Sequence, residues 1–478
     1  LREILLHNTL GGRTEPFVPL HPGEVRIYTC GPTVYDYAHI GNFRTFVFQD
    51  ILRRFLRSQG YRIIQVMNLT DVDDRIILRA AEAGITIREY TDRFIAAFLA
   101  DRQALSLEPP EHFVRATDRI DDMVRLIQRL VEKGYTYATD GSIYFRISKF
   151  SNYGKLSKID VSGLQAGARV DADRYEKADA RDFALWKAPK PGEQFWETPI
   201  GPGRPGWHIE CSAMAMALLG ETIDIHSGGI DLCFPHHENE IAQSEAATGK
   251  QFVRYWLHAE HLLVDHEKMS KSLGNFATLP ELLKEGIRPS SVRFLLASVP
   301  YRRQLNFSAD GLQQAASSVE RLRNFAARLE VESFPAGSDP AMARAIAEFG
   351  ERFEAALADD LNTAQALAAV FDMVREANSA MDRGAFRADQ RAAARGVLDA
   401  FDAIFSVLND DDAARVAALG ISRGPTTADA EIEALVAERQ AARKRKDFKA
   451  SDKIRQELAE RGILVEDIKD GGVRWKRK

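Results

Sequence analysis

The chain has 478 residues, too many for one compact core and enough for about three domains. Hydrophobic residues make up 45%, an ordinary share for a globular protein, and no apolar run approaches the ~20 residues of a membrane span. The net charge of −5 excludes a uniformly basic protein but hides an uneven distribution: residues 439–478 hold 14 Lys and Arg against 7 Asp and Glu, leaving −12 on the rest. A basic tail on an acidic body suits contact with a polyanion, nucleic acid first, and equally suits a solvated helical face. The opening residues lack a charged-then-apolar signal pattern. Three scattered cysteines, Cys30, Cys211 and Cys233, make no disulfide framework, so a reducing, cytoplasmic setting is expected.

In chain order, residues 25–30 read as a buried strand, ended by Gly31-Pro32-Thr33. A helix is predicted over 42–58, with a wide apolar face from Phe46 to Leu56 and Gly60 past its end. Residues 61–69 read as a second strand, after which Thr70 or Asp71 caps a helix. Strand, helix, strand argues for a parallel sheet, whose ligands bind at the carboxyl ends of the strands, where Cys30 and His39 fall. Residues 111–204 are less regular, with a strand at 141–147, and read as an insertion between two halves of a nucleotide-binding fold, 1–110 and 205–265. Residues 222–226 and 256–264 read as further core strands. Residues 266–310 carry a lysine-rich loop and lead out of the catalytic region. Ala/Arg/Leu-rich helices over 311–408, broken at 334–340, predict a bundle; 409–429, with Gly424-Pro425, reads as a linker, and 430–478 as a small basic unit.

Two segments suggest phosphate chemistry. Lys268-Met269-Ser270-Lys271-Ser272 forms a short mobile cationic loop, suited to neutralising a triphosphate as it reacts. His39-Ile40-Gly41-Asn42 sits at a strand–loop–helix junction. There Gly41 lets the backbone approach a ligand, the helix N-terminus favours phosphate, and His39 can donate to a phosphoryl oxygen. No G-x-x-x-x-G-K-[ST] loop is present, so the Walker cradle is excluded. Further along, Phe234-Pro235-His236-His237-Glu238-Asn239-Glu240 places His236 and Glu240 four apart on one helical face. Added to Cys30 and Cys211 they make a zinc-like donor set, for which His237, His208 and Cys233 compete on sequence alone.

Together, His39–Asn42 and Lys268–Ser272 resemble the two signature motifs of class I aminoacyl-tRNA synthetases, with Asn42 standing where the family has a second His. The stretches Tyr28-Thr29-Cys30-Gly31-Pro32-Thr33-Val34-Tyr35-Asp36, Gly203 to Met214 and Phe234 to Glu240 closely resemble cysteinyl-tRNA synthetases, and the similarity runs from Phe17 to the C-terminus. The resemblance implies an α/β fold: a class I synthetase Rossmann-like catalytic domain with an insertion, then an α-helical bundle and a small C-terminal anticodon-binding domain. It implies cysteine–tRNA ligase activity and a monomer, with cysteine tRNA, ATP and L-cysteine as partners. It implies one Zn2+ on Cys30, Cys211, His236 and Glu240, with Mg2+ accompanying ATP. Carried over by position, His39, Asn42, Lys268 and Lys271 are catalytic; His39, Gly41, Asn42, Gly229, Asp231 and Lys271 bind ATP; Thr70, Trp207, His226 and Asp231 bind cysteine. In the tail, Arg443, Phe448, Asp452 and Asp467 are the candidate tRNA contacts, Arg and Asp edges reading bases and aromatics stacking on them.

The metal answers a selectivity problem. Shape alone separates near-isosteres such as cysteine and serine only about 100-fold, whereas zinc prefers a soft thiolate to a hydroxyl. Four protein ligands usually close a site, so the substrate sulfur is expected as a fifth ligand or in place of Glu240. One rival reading is a ligase that joins cysteine to an amino sugar, which the tail after Asp429 disfavours. Another is a non-catalytic RNA-binding relative, which the retained His39, Lys268, Lys271 and metal candidates disfavour.

Overall fold

A computed structural model describes residues 2–159, 181–269, 275, 277–421, 427–445, 447–461, 463–467 and 473–477. Two compact units divide the chain, Leu1–Leu419 and Gly420–Lys478. The first opens with a hairpin, β1 (Leu5–Asn8) and β2 (Arg13–Pro16). Next come β3 (Glu24–Thr29), α1 (Ile40–Ser58), β4 (Arg62–Leu69), α2 (Asp74–Ala83), α3 (Ile87–Ala104) and β5 (His112–Arg115). α4 (Ile120–Glu132) leads to β6 (Thr136–Thr139), β7 (Ser142–Phe145), β8 (Phe183–Lys187) and β9 (Arg204–Pro205), which form an antiparallel four-stranded sheet. The chain then returns through α5 (Trp207–Leu219), β10 (Ile223–Gly229), α6 (Glu238–Thr248) and β11 (Val253–Ala259).

The central sheet has the order β11-β10-β3-β4-β5 and is parallel throughout. Numbered along the chain, this is the doubly wound order 3-2-1-4-5. It places a ligand crevice at the carboxyl ends of β3 and β10, where the winding reverses. β3 and β10 are buried along most of their length, as strands covered on both faces must be. β5 belongs to this sheet, so the insertion begins after Arg115 rather than at 111: Val66 pairs with His112 and Leu69 with Arg115.

Three further expectations change in detail. Neither Thr70 nor Asp71 caps a helix. Thr70 runs on beside Pro32–Val34, and Asp73 caps α2, its carboxylate accepting from Ile76 N at 2.7 Å. The Asp71 carboxylate instead accepts from Thr117 N and Oγ1, at 2.9 and 2.6 Å. Residues 256–264 form two strands in different sheets. β12 (Leu262–Val264) leaves the central sheet to lie between β13 (Glu267–Lys268) and β14 (Leu305–Phe307).

After α7 (Leu279–Lys284), α8 (Pro289–Ser298) is almost wholly buried. The bundle is α9 (Ala309–Val331), α10 (Pro340–Ala358), α11 (Thr363–Asp382) and α12 (Ala388–Phe405), packed through Leu322, Phe325, Phe353, Val370, Leu398 and Phe401. A staple of charge joins it to the catalytic layer. Fully buried Arg293 of α8 donates to Asp50 of α1 at 2.6 Å and to the Ile404 carbonyl at the end of α12 at 3.1 Å. Residues 409–429 are not all linker, because α13 (Asp412–Ala418) belongs to the first unit. The Asp412 carboxylate there accepts from Ser290 N and Oγ, at 2.9 and 2.6 Å, and pairs with Arg323.

The second unit holds α14 (Thr427–Lys444), α15 (Phe448–Glu460) and the antiparallel hairpin of β15 (Ile463–Asp467) and β16 (Val473–Arg477). Ile432, Val436, Ile454, Leu458, Ile463 and Val465 form its core.

Candidate active site

Ten residues, 30–39, link the end of β3 to α1, whose N-terminus is built as a capping box. His39 Nδ1 accepts from Asn42 N at 3.3 Å, and Asn42 Oδ1 accepts from His39 N at 3.1 Å. The lone pair on Nδ1 puts the proton of a neutral His39 on Nε2. Asn42 spends its oxygen on the cap, which leaves its amide Nδ2 as a donor. Gly41 keeps this surface low: a Cβ there would stand 2.9 Å from the His39 ring and 3.9 Å from Met269 Cε. The two signature segments therefore meet. Ile40 N donates to Ala277 O at 2.9 Å and His39 pairs with Thr278, just beyond the lysine loop. Lys268 lies in β13, while Lys271 lies outside the described residues.

Across the crevice, the ends of β3 and β10 with α5 and α6 assemble the second centre. Cys30, Cys211, His236 and Glu240 are all buried and their ligand atoms lie within 4.8 Å of one another. Each comes from a different position the fold must bring together: Cys30 from the end of β3, Cys211 from one turn into α5, Glu240 from α6. Gly206, before α5, allows that helix to start against β8; a Cβ would meet Ala184 O at 2.0 Å. His236 stands in the irregular turn before α6, its Nε2 3.0 Å from Glu240 Oε1, its Nδ1 3.0 Å from His208 Nδ1. Cys233 joins no such cluster among the described residues.

Charge in this centre is divided unequally. Burial and the neighbouring Cys211 push the Cys30 thiol well up. For Cys211 burial opposes ionisation, but the Cys30 hydrogen bond and His236 outweigh it and bring the thiol down to about 6. Burial disfavours a charged His236, yet Cys211 and Glu240 lift it to about 10. Glu240, against its own burial, is held low by His226 and His236. Two thiols, an imidazole and a carboxylate form a donor set that fits zinc. Glu240 Oε1 and His236 Nε2 face each other 3.0 Å apart, and Oε1, buried without a well-aligned hydrogen bond, is placed to ligate an ion shared with His236.

Of the candidate cysteine contacts, Trp207 and His226 touch this centre. Trp207 opens α5 and stacks on His236, centroids 4.5 Å apart. Thr70 is buried at the end of β4, its Oγ1 accepting from Asn68 at 2.9 Å. Asp231 is exposed in the turn after Gly229, and a Cβ on Gly229 would sit 2.4 Å from its carboxylate. His226, expected to line a pocket, is fully buried behind Glu240. Its Nε2 is 2.9 Å from Glu240 Oε2 and its ring stacks on Trp256, because it faces inward on a strand covered on both sides. Sequence reasoning missed His258, Trp256 and Thr9. His208 and His237, competitors for the metal on sequence, touch ligands: His208 bonds His236, and His237 Nε2 lies 3.3 Å from Cys30 Sγ. A second set, Cys30, His226, His237 and Glu240, meets the same 4.8 Å limit, so only two of its donors differ from the first.

In the second unit, Arg443, Phe448 and Asp452 are exposed, Phe448 at 61%, an unusual exposure for a ring. Asp467 lies in β15.

Comparison with known proteins follows this anatomy. Residues 16–317 match the tRNA synthetases class I (C) catalytic domain, 352–409 the DALR domain, and 427–475 the cysteinyl-tRNA ligase anticodon binding domain. A solved methionyl-tRNA synthetase of Mycobacterium tuberculosis, in complex with methionyl-adenylate, superposes with a TM-score of 0.62 at 16% identity, covering 82% of this chain and 93% of its own. The architecture is thus that of the class I aminoacyl-tRNA synthetases. Cysteine–tRNA ligases of Koribacter versatilis and Solibacter usitatus are each 56% identical, over 99% of both chains, and that of Leptospira interrogans is 48% identical over 100% of both. The chain belongs to the cysteine–tRNA ligase family. Among the described residues no helix is long and apolar enough to cross a membrane.

Proposed function

We propose that this chain charges cysteine tRNA with L-cysteine in two steps, in the cytoplasm. In the first, the cysteine carboxylate attacks the α-phosphorus of ATP, pyrophosphate leaves, and cysteinyl-adenylate forms. In the second, a ribose hydroxyl at the 3' end of the tRNA attacks the acyl carbon and AMP leaves. The observation that carries the reading is the crevice itself: a capped His39–Asn42 helix start and four buried soft-and-hard donors at the same ends of one parallel sheet.

His39 Nε2–H and Asn42 Nδ2 would donate to the reacting phosphate, and the positive end of α1 adds to them. Lys268 and Lys271 would neutralise the leaving pyrophosphate, with magnesium accompanying ATP. Gly41, Gly229 and Asp231 would flank the nucleotide, and Thr70, Trp207 and Asp231 the amino acid. No side chain need be a nucleophile; positioning and charge suffice. Cys30, Cys211, His236 and Glu240 would hold zinc, which supplies a soft Lewis acid that takes a thiolate in preference to a hydroxyl. His226 holds Glu240 in place from behind. Arg443, Phe448, Asp452 and Asp467 would contact the anticodon. The match of residues 427–475 supports this over an amino-sugar ligase.

Cysteine-dependent ATP–pyrophosphate exchange, followed by charging of cysteine tRNA, tests the reading. Both are expected, with serine giving negligible exchange. Exchange without tRNA charging would favour the amino-sugar acceptor; no exchange would remove the enzyme reading. Lys271→Ala should abolish exchange yet leave zinc content unchanged, and retained exchange would take Lys271 out of the mechanism.

A further inference from the structure

Behind Cys30 runs a buried chain of polar groups. Cys30 Sγ lies 3.3 Å from His237 Nε2, His237 Nδ1 lies 2.8 Å from His258 Nε2, and His258 Nδ1 lies 2.8 Å from Thr9 Oγ1. Both histidines are buried. Thr9 follows β1, and its place is fixed from the backbone. Its N–H donates to Trp256 O at 2.9 Å, while the Asn8 side chain accepts from Trp256 N at 3.0 Å and donates to Arg254 O at 2.8 Å. The N-terminal hairpin is thereby docked on β11, the strand that carries His258. Gly228, in register with His258, makes room for the relay; a Cβ there would come within 2.9 Å of His237 Cε1.

The chemistry of the groups gives this chain one direction. A neutral imidazole offers one N–H and one lone pair, and the 2.8 Å contact between His237 Nδ1 and His258 Nε2 needs one of each. A cysteine that binds a metal does so as thiolate and can only accept a hydrogen bond. His237 Nε2 must then donate to Cys30. His237 Nδ1 must accept from His258 Nε2–H, and His258 Nδ1 must accept from the Thr9 hydroxyl.

We propose that Thr9, acting through His258 and His237, is a positioning residue for Cys30: the chain locks both ring tautomers and delivers one N–H···S hydrogen bond to the thiolate in its metal-binding form. The inference rests on the zinc reading of the four-donor centre. No proton is transferred along the chain; its work is to orient Sγ and to stabilise its negative charge. Thr9 lies outside the matched catalytic domain, residues 16–317, so the hairpin's contribution to the centre is separate from that match. Hydrogen-bond partners behind a metal ligand commonly change affinity by roughly 10–100-fold.

The test uses the full chain, with zinc affinity measured against a chromophoric chelator and the sulfur-to-metal absorption of the Co2+-loaded protein as a second readout. Thr9→Val keeps the side-chain shape and removes the hydroxyl. It should weaken zinc binding roughly 10-fold or more and shift the cobalt band, while Thr9→Ser restores both. Circular dichroism and the thermal midpoint of the metal-free variants check the fold. Wild-type affinity and an unshifted band in Thr9→Val overturn the inference, as does a loss that Thr9→Ser fails to restore. If the unmodified protein binds no zinc, or Cys30→Ser binds it as tightly, the metal reading itself falls and takes this inference with it.

Discussion

Asn42 shows how one side chain can serve two roles. Its oxygen completes the cap of α1 through His39 N, and in the proposed reaction its amide nitrogen would donate to phosphate. A histidine in this place could be cationic; Asn cannot, so its contribution is a directed neutral donor. The two roles separate by substitution. Asn42→Asp keeps an oxygen for the cap and suits the first helical turn, yet removes the donor and adds a repelling charge. Its thermal midpoint should match the unmodified protein, while cysteine-dependent exchange falls on the order of 100-fold or more. Asn42→Ala should lose exchange and also about 1 kcal/mol of helix capping. An Asp variant with normal exchange would show that position 42 is only a cap.

The same residues show what the sequence could and could not disclose. Cys30, Cys211, His236 and Glu240 were legible because their local stretches carry the family pattern, not because their spacing looks like a metal site. Thr9 and His258 were not legible. Nothing in Asn8-Thr9-Leu10 or Leu257-His258-Ala259 signals a shared purpose, since their contact exists only once the hairpin lies on β11. His226, a pocket residue by position, faces Glu240 on a strand buried along nearly its whole length.

Among elements, α1 is the piece that joins chemistry to scaffold. Its N-terminus faces the crevice, and its middle buries Gln49, Asp50 and Arg53 as well as phenylalanines. Asp50 is the critical one. Its burial favours the neutral acid, but Arg293, Arg54 and the Glu108 N–H together hold its carboxyl below the ordinary value. A carboxyl depressed on folding stabilises the protein above the unfolded pKa, about 3.9. That stability is lost as the pH falls through the lower folded value. Asp50→Asn leaves fully buried Arg293 without its counter-charge and should cost about 3–5 kcal/mol at neutral pH, read as a lower urea midpoint. The gap from the unmodified protein should narrow below about pH 4; a constant gap down to pH 2 would mean that the loss is one of packing. Element type was largely readable from apolar periodicity, and the misses fell at joins. β5 is only four residues long, so its membership of the sheet depends on a neighbour, β4, rather than on its own pattern. The Thr70-Asp71 cap was wrong because Asp73, two residues on, offers the same chemistry where the helix actually turns.

At the scale of the whole molecule, the division at residue 420 separates the body that holds the candidate active site from a small unit with its own apolar core. Residues 1–419 alone should retain zinc and cysteine-dependent exchange, but lose charging efficiency. Within the full chain, Phe448→Ala should raise the KM for tRNA by the equivalent of ~1–3 kcal/mol if the exposed ring stacks on a base, with exchange untouched. An unchanged KM would remove Phe448 from the interface. The basic tail visible in the charge count is this unit, and what charge could not reveal is that an exposed aromatic sits within it.

The pairing of β3 with β10 has a consequence in time. Ile27 finds its partner Ile225 only after the intervening antiparallel layer has been made. At a synthesis rate of roughly 5–20 residues per second, β3 waits on the order of 10–40 s for that neighbour. Throughout that interval it presents an unpaired apolar edge to other chains. The nascent protein is therefore most prone to aggregate while its first 220 or so residues are outside the ribosome, and a chaperone that shields a strand edge would be needed then rather than later.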